Sequence, residues 1–466
     1  MNEEVTLDEF TGADESKTSQ QDWLAPTDSF PQDWQVVDFE SVLEDIRYGT
    51  DTKSNTEGRG FPTLRIPNIV DKKVTTDDLK YTELDGEEAN RLMLDNGDIL
   101  LIRTNGNPNY VGRCAVFDGE LDDCVYASYL IRLRLDEHSS LPKFVSEFLN
   151  SHLGRIEMSG WINTSAGNHN IGISAIENFS LPLPPISEQR QIIAVLHNVN
   201  EAIEKTEEII DQATRVRKGL MQDLFRYGLD ENGELRDSGD GSEPYRKTKY
   251  GEIPESWDIV PLSQLVPEDA PIVYGILKPG DHQPDGVPVV KVKDIHDGEV
   301  KQGDILHTSQ EIHEDFKRAE LREGDLLFTI RGTVGRMAFV PERLDGGNIT
   351  QDTARIRVTE ANPRFVRYFF ETETPNNYFE RNTIGQAVQG INLEDLREVP
   401  VHLPSEEEQA RIVEIIDQHS EALRNERDYL QHLQRFKRGL MQDLLSGAVR
   451  TTDTNIEVPE EIAQHG

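Results

Sequence analysis

Gly219-Leu-Met-Gln-Asp-Leu224 returns letter for letter as Gly439-Leu-Met-Gln-Asp-Leu444. At an offset of 220 residues and without a gap, Pro184 matches Pro404, Glu188-Gln189 matches Glu408-Gln409, Ile192 matches Ile412, Glu201-Ala202 matches Glu421-Ala422 and Arg215 matches Arg435. A register held over about 40 residues marks a duplicated unit. Upstream the repeat continues with small shifts, as loops of unequal length between equivalent elements produce. Pro31 and Trp34 answer to Pro254 and Trp257, Tyr48-Gly49 to Tyr274-Gly275, Gly97-Asp98 to Gly324-Asp325, and Gly112-Arg113 to Gly335-Arg336.

The repeated stretch is helical. Ile192, Leu196, Val199, Ile203, Ile210, Leu220 and Leu224 step by fours and threes, as do Ile412, Ile416, Leu423, Leu430, Leu433, Leu440 and Leu444. That stepping is a coiled-coil seam. Thr206 and Glu426 interrupt it at equivalent heights, a pattern expected of register markers. Each helix needs a partner for its stripe. The two helices are of equal length in one chain, so the simplest burial is against each other, antiparallel if a two-fold relates the repeats. Packing of each helix on its own globular half is the other solution.

Before each helix, short strands broken by Gly and Pro alternate with brief helices. Asp98–Arg103, Ala115–Phe117 and Tyr129–Arg134 match Asp325–Arg331, Met337–Val340 and Ala354–Val358. Each half is therefore α+β. The fold class expected is two repeated α+β domains plus two long helices forming an antiparallel coiled coil, with pseudo-two-fold symmetry.

Composition narrows the function classes. Two cysteines, Cys114 and Cys124, give no disulfide framework, and no Cys/His spacing suits a metal. No apolar run reaches the length of a membrane span, so a cytoplasmic protein without membrane contact is expected. The net charge is −38; residues 1–29, 230–243 and 451–466 carry −7, −5 and −4 of it, leaving −22 on the rest. These three acidic segments are expected to be disordered. Two readings of the acidity stand: avoidance of DNA, or adaptation to a halophilic, salt-rich cytoplasm. Acids spread through both halves and few lysines favour the second.

The candidate site residues lie where the halves differ. After the strand ending at Arg103, the first half has Thr104, Asn105, Asn107, Asn109, Tyr110 and then Arg113; the second has a shorter loop with Arg331, Thr333 and Arg336. A second polar cluster, with Asn168, His169 and Asn170, is answered by Gln386 and Gln389. Amide and guanidinium groups suit the edges of bases, Asn or Gln pairing with adenine and Arg with guanine. The same residues also form turns, and Arg103 and Arg331 could be buried ion-pair partners. Asn107-Pro-Asn-Tyr110 looks like the Asn-Pro-Pro-Tyr loop of adenine methyltransferases, yet no Gly-rich nucleotide loop follows a strand upstream. Asp304, Asp315 and Lys317 imitate a nuclease site only faintly, and a Walker loop is missing. No catalytic residue and no metal ligand is assigned.

The twin helix openings at 182–189 and 403–409, the two Gly-Leu-Met-Gln-Asp-Leu helix ends and the Pro-x-x-Trp entries resemble the specificity subunit of type I restriction-modification systems, from Pro31 to Val449. The resemblance implies an acidic tail (1–29), a first target recognition domain (30–183), a spacer helix (184–228), an acidic linker (229–250), a second recognition domain (251–403), a second spacer helix (404–447) and a tail (448–466). It implies that each domain reads half of a split site in double-stranded DNA. The helices would set the spacing and bind two modification subunits, with restriction subunits joining for cleavage. The chain itself would be non-catalytic and bind no cofactor; S-adenosylmethionine, ATP and Mg are expected on the partner subunits. A coiled-coil assembly protein without DNA readout is the alternative.

Overall fold

The computed structural model describes residues 30–165, 167–236, 245–296, 298–301, 303–383, 390–452, 456, 458, 459 and 462. The chain divides into two compact units: Met1–Glu207 with Tyr429–Gly466, and Glu208–Asp428. Each is built on the same plan.

In the first unit, Leu130–Leu135 pairs antiparallel with Leu43–Tyr48 on one side and Ile99–Ile102 on the other, followed by Cys114–Val116, Lys73–Val74 and Ile69–Val70. In the second, Thr353–Ile356 lies between Val273–Tyr274 and Leu326–Thr329, with Met337–Phe339 next. Ile99–Ile102 and Leu326–Thr329 are buried at every position. Such burial suits a strand covered on both faces: Ile99–Ile102 is apolar throughout, and Leu326–Thr329 is apolar up to Thr329, whose hydroxyl is hydrogen-bonded. A smaller sheet is repeated too: Phe61–Leu64 pairs parallel with Val125–Tyr126 and antiparallel with Lys80–Thr82, as Val287–Val290 does with Asn348–Ile349 and Leu306–Thr308.

Gly49 and Gly275 show why the Tyr-Gly pair recurs. A Cβ on Gly49 would stand 2.3 Å from the carbonyl oxygen of Tyr126, and one on Gly275 would stand 1.9 Å from that of Ile349. Only a residue without a side chain lets these strands approach. The repeated Gly-Asp pair has an equally local cause. Asp98 is buried and receives Nε and Nη2 of Arg134 at 2.8 and 2.6 Å, and buried Asp325 receives the same two atoms of Arg357 at 2.7 Å each.

The long helices are Ile186–Tyr227 and Glu406–Leu445, of 42 and 40 residues. In the first unit, Ile192 and Leu196 share a core with Leu444 and the globular domain, and Glu188 meets Arg450. In the second unit, Leu224 shares a core with Ile412 and Ile416; Arg217 meets Ser420, and Leu229 meets Glu408. Within each unit, rising numbers on one helix meet falling numbers on the other, so the pairing is antiparallel, as expected. The either-or between helix and domain as packing partner is corrected: the helix ends do both. Ile193, Met221, Phe225, Val413, Met441 and Leu445, which lie off the seam, are buried with it because two surfaces cover each end. Val199, Ile203, Ile210, Leu430 and Leu433 are only half-buried.

Two further expectations change. Thr206 is buried but donates its hydroxyl to Ala202 of its own helix at 2.7 Å, so it satisfies itself and needs no partner across the seam. The acidic segments 230–243 and 451–466 are ordered in part. Leu229 bridges to Leu235 and Arg236 pairs with Glu408, while Ile456, Val458 and Ile462 pack on the first core. Charge counting does not register a few apolar anchors. Residues 1–29 lie outside the described residues.

Candidate functional site

The strand Ile99–Ile102 delivers Arg103 to the edge of the first unit. There Thr104–Asn105 pairs with Asn168–Asn170, which pairs in turn with Asn163–Ser165. The register sets Asn105 against His169 and Thr104 against Asn170. The two polar clusters, distant in sequence, thus form one three-stranded sheet. His169 is held through Nδ1 against the Thr164 hydroxyl at 3.0 Å.

The loop beyond is braced by its own amides. The Asn105 side-chain oxygen accepts from the Asn107 backbone N–H at 2.9 Å, and that of Asn107 accepts from the Asn109 backbone N–H at 3.0 Å, opening the 3-10 turn Pro108–Tyr110. The turn-forming reading of these residues therefore holds for their oxygens. Their NH2 groups are uncommitted among the described residues, which leaves them as donors.

Arg103 lies with its guanidinium 4.3 Å over the Tyr48 ring, and its Nε is buried without a hydrogen-bond partner among the described residues. Arg113 lies 4.1 Å over the Tyr110 ring and donates Nε to the Asn109 carbonyl at 2.9 Å. Stacking on an aromatic face fixes a guanidinium while sparing its outer N–H groups. Neither arginine forms an ion pair among the described residues. Asn105, Asn107, Asn109, Tyr110, Arg113 and His169 all line one cleft of about 1020 Å³. Sequence reading missed Arg155, which supports the loop through the carbonyls of Val111 and Asn109. Its helix, His152–Ser159, carries no repeated motif that would have singled it out.

The second unit closes the equivalent loop more tightly. The Thr329 hydroxyl bonds the Thr333 carbonyl and accepts the Arg336 backbone N–H, and Arg336 reaches the Ile295 carbonyl at 3.3 Å. Arg331 is exposed, with no ion pair among the described residues, and bridges through its backbone to Gly390. Gly390 thus stands beside the strand-end arginine, as Thr104 and Asn170 pair next to Arg103 in the first unit. Thr333 is exposed; Gln386 and Gln389 lie outside the described residues. Among the described residues no group of three or more His, Cys, Asp or Glu side chains could hold a metal ion, and no helix is long and apolar enough to cross a membrane.

This chain matches the family model for the type I restriction modification DNA specificity domain twice, at residues 31–215 and 275–435. It is similar to the type I restriction enzyme EcoBI specificity subunit of Escherichia coli, 26% identical over 65% of each chain. It is also similar to the type I restriction enzyme MjaVIII specificity subunit of Methanocaldococcus jannaschii, 20% identical over 91% of this chain and 95% of the other. A solved chain of the type I R-M system shares the fold, with a TM-score of 0.57 at 19% identity, over 90% of this chain and 99% of that one.

Proposed function

From the premise that the chain belongs to the type I restriction modification DNA specificity family, we propose that it reads a bipartite DNA site for a multisubunit enzyme. Membership makes it a DNA-recognition subunit and a non-catalytic part of its system. The observation that carries the finer reading is the doubled strand end. Arg103 and Arg331 stand at equivalent strand ends, on a shared scaffold whose loops differ, and in the first unit a polar cluster pairs beside the arginine. Two readers of different half-sites need that arrangement, because the scaffold positions the loop and the loop side chains meet the bases.

The donor NH2 groups of Asn105 and Asn107 and the stacked guanidinium of Arg103 suit acceptors on purine edges. The two long helices set the gap between half-sites and dock two modification subunits. A helix of 42 residues is about 63 Å long, between one and two turns of duplex. S-adenosylmethionine binds the modification subunits, and ATP and Mg serve restriction subunits; the host compartment is a cytoplasm of high salt, to which the acidic surface is matched.

The test replaces residues 30–183 with the corresponding domain of a relative and maps adenine methylation by the assembled complex. One half of the recognised site changes and the other stays. If both halves change, the reading of one half-site per domain fails; if the complex binds DNA without sequence preference, a coiled-coil assembly role replaces the proposal.

A further inference from the structure

Arg113, Arg155 and Lys437 line the same cleft of the first unit, and none of them forms an ion pair among the described residues, in a chain of net charge −38. Lys437 comes from the second long helix. Its ammonium is pushed below the ordinary lysine range by burial and then by the charge of Lys72. The nearby carboxylates Glu147 and Glu204 are committed to Lys72 and Lys73. Arg155 is pushed down by burial and then by the charge of Arg113. Each of these desolvated cations has a cationic neighbour in the cleft, Lys72 for Lys437 and Arg113 for Arg155, and an entering anion relieves both repulsions.

The second unit shows what neutralises this position when the chain does so itself. Lys437 matches Arg217 in the gapless register, and Arg217 is ion-paired to Glu371 at 3.1 Å and donates to Ser420 at 2.9 Å. Glu371 is the C-cap of the helix Pro363–Phe370. The C-cap of the matching helix Pro142–Leu149 is Asn150, which lines the cleft and spends its amide on the carbonyls of Cys114 and Ser146. One carboxylate is replaced by a neutral amide, so Lys437 has no counterpart of the ion pair between Arg217 and Glu371 among the described residues; the one carboxylate lining the cleft is the exposed Asp71, which makes no ion pair among them.

We propose that this cleft binds a phosphate group of the DNA backbone through Lys437, Arg113 and Arg155, and that the second unit has no equivalent site. The proposal rests on the DNA-recognition reading above. It makes the second long helix a contributor to DNA binding by the first unit, in addition to its role in spacing. A phosphate contact adds affinity without sequence information and raises the salt dependence of binding.

The test uses the full chain assembled with its modification subunits and measures affinity for cognate and non-cognate duplexes as salt rises. Lys437→Gln lowers the slope of log affinity against log salt by about 0.9, equally on both duplexes, and leaves the methylated sequence unchanged. Asn150→Glu, which installs the second unit's carboxylate, acts in the same direction and serves if the first variant does not assemble. Lys437→Arg keeps the slope, and Arg217→Gln does not alter it. The inference is overturned if the slope stays constant in Lys437→Gln, or if Arg217→Gln lowers it equally. It is also overturned if millimolar inorganic phosphate stabilises the wild type but not Lys437→Gln while their DNA slopes agree, because the site then takes free phosphate. Loss of sequence selectivity in the wild-type complex would instead sink the parent reading.

Discussion

Arg450 donates Nε and Nη2 to the two carboxylate oxygens of Glu188 at 2.7 and 2.8 Å, although 262 residues separate the two. Glu188 is fully buried and also accepts the indole N–H of Trp34 at 3.0 Å. The second unit repeats the arrangement: Glu408 accepts Arg236 at 2.6 and 3.1 Å and the indole of Trp257 at 3.2 Å. In each unit the domain entry, the opening of one long helix and the segment after the other long helix are tied at one carboxylate.

Removing one arginine leaves a buried carboxylate without its cation, which costs about 3–5 kcal/mol. Arg450→Ala is expected to destabilise the first unit and Arg236→Ala the second. Hydrogen exchange checks this: protection falls around Trp34 in one variant and around Trp257 in the other. Equal loss in both units from either substitution contradicts the assignment. The hydrogen bond from Arg450 also holds Asp33 below the usual carboxylate range. A depressed carboxylate stabilises above its unfolded pKa, so the Asp33 contribution is lost as pH falls through the folded value.

Gly49→Ala and Gly275→Ala each force a methyl into a neighbouring strand's carbonyl. Overpacking of this kind costs about 1–3 kcal/mol, and backbone that cannot move raises it. Urea unfolding measures the loss; a neutral Gly275→Ala would mean that the strand Asn348–Ile349 yields readily.

His402 is buried beside Phe369 with its Nε2 unpartnered among the described residues, and burial, then the charge of Arg246, lowers its pKa from 6.5 to about 4. The unfolded chain binds a proton more readily, so stability is complete above the unfolded value and declines as pH falls toward the folded one. The full effect is about 3 kcal/mol. His402→Leu is expected to flatten that part of the stability curve between about pH 7 and about pH 4. An unchanged curve would show that the imidazole is not the group responsible.

Inserting one heptad into both long helices adds about 10 Å, or about three base pairs of duplex. Methylation mapping should find both half-sites intact and the gap lengthened. An unchanged gap would separate the helices from the spacing function.

The sequence by itself determined the duplication, and with it two α+β halves, two long helices and the family. Repeats, heptad stepping and Gly-Asp or Pro-x-x-Trp signatures are local patterns, and local patterns survive in one dimension. What each charged side chain meets was decided only by tertiary structure. Arg103 and Arg134 look alike on neighbouring strands, yet Arg134 closes on buried Asp98 while Arg103 stacks on Tyr48 with no carboxylate partner among the described residues. Lys437 and Arg217 are equivalent in the repeat, yet Glu371 neutralises Arg217 while Asn150 leaves Lys437 without an ion pair among the described residues. Such outcomes depend on which residues the fold brings within a few ångströms across distant sequence, and Coulomb and desolvation energies are set by those distances.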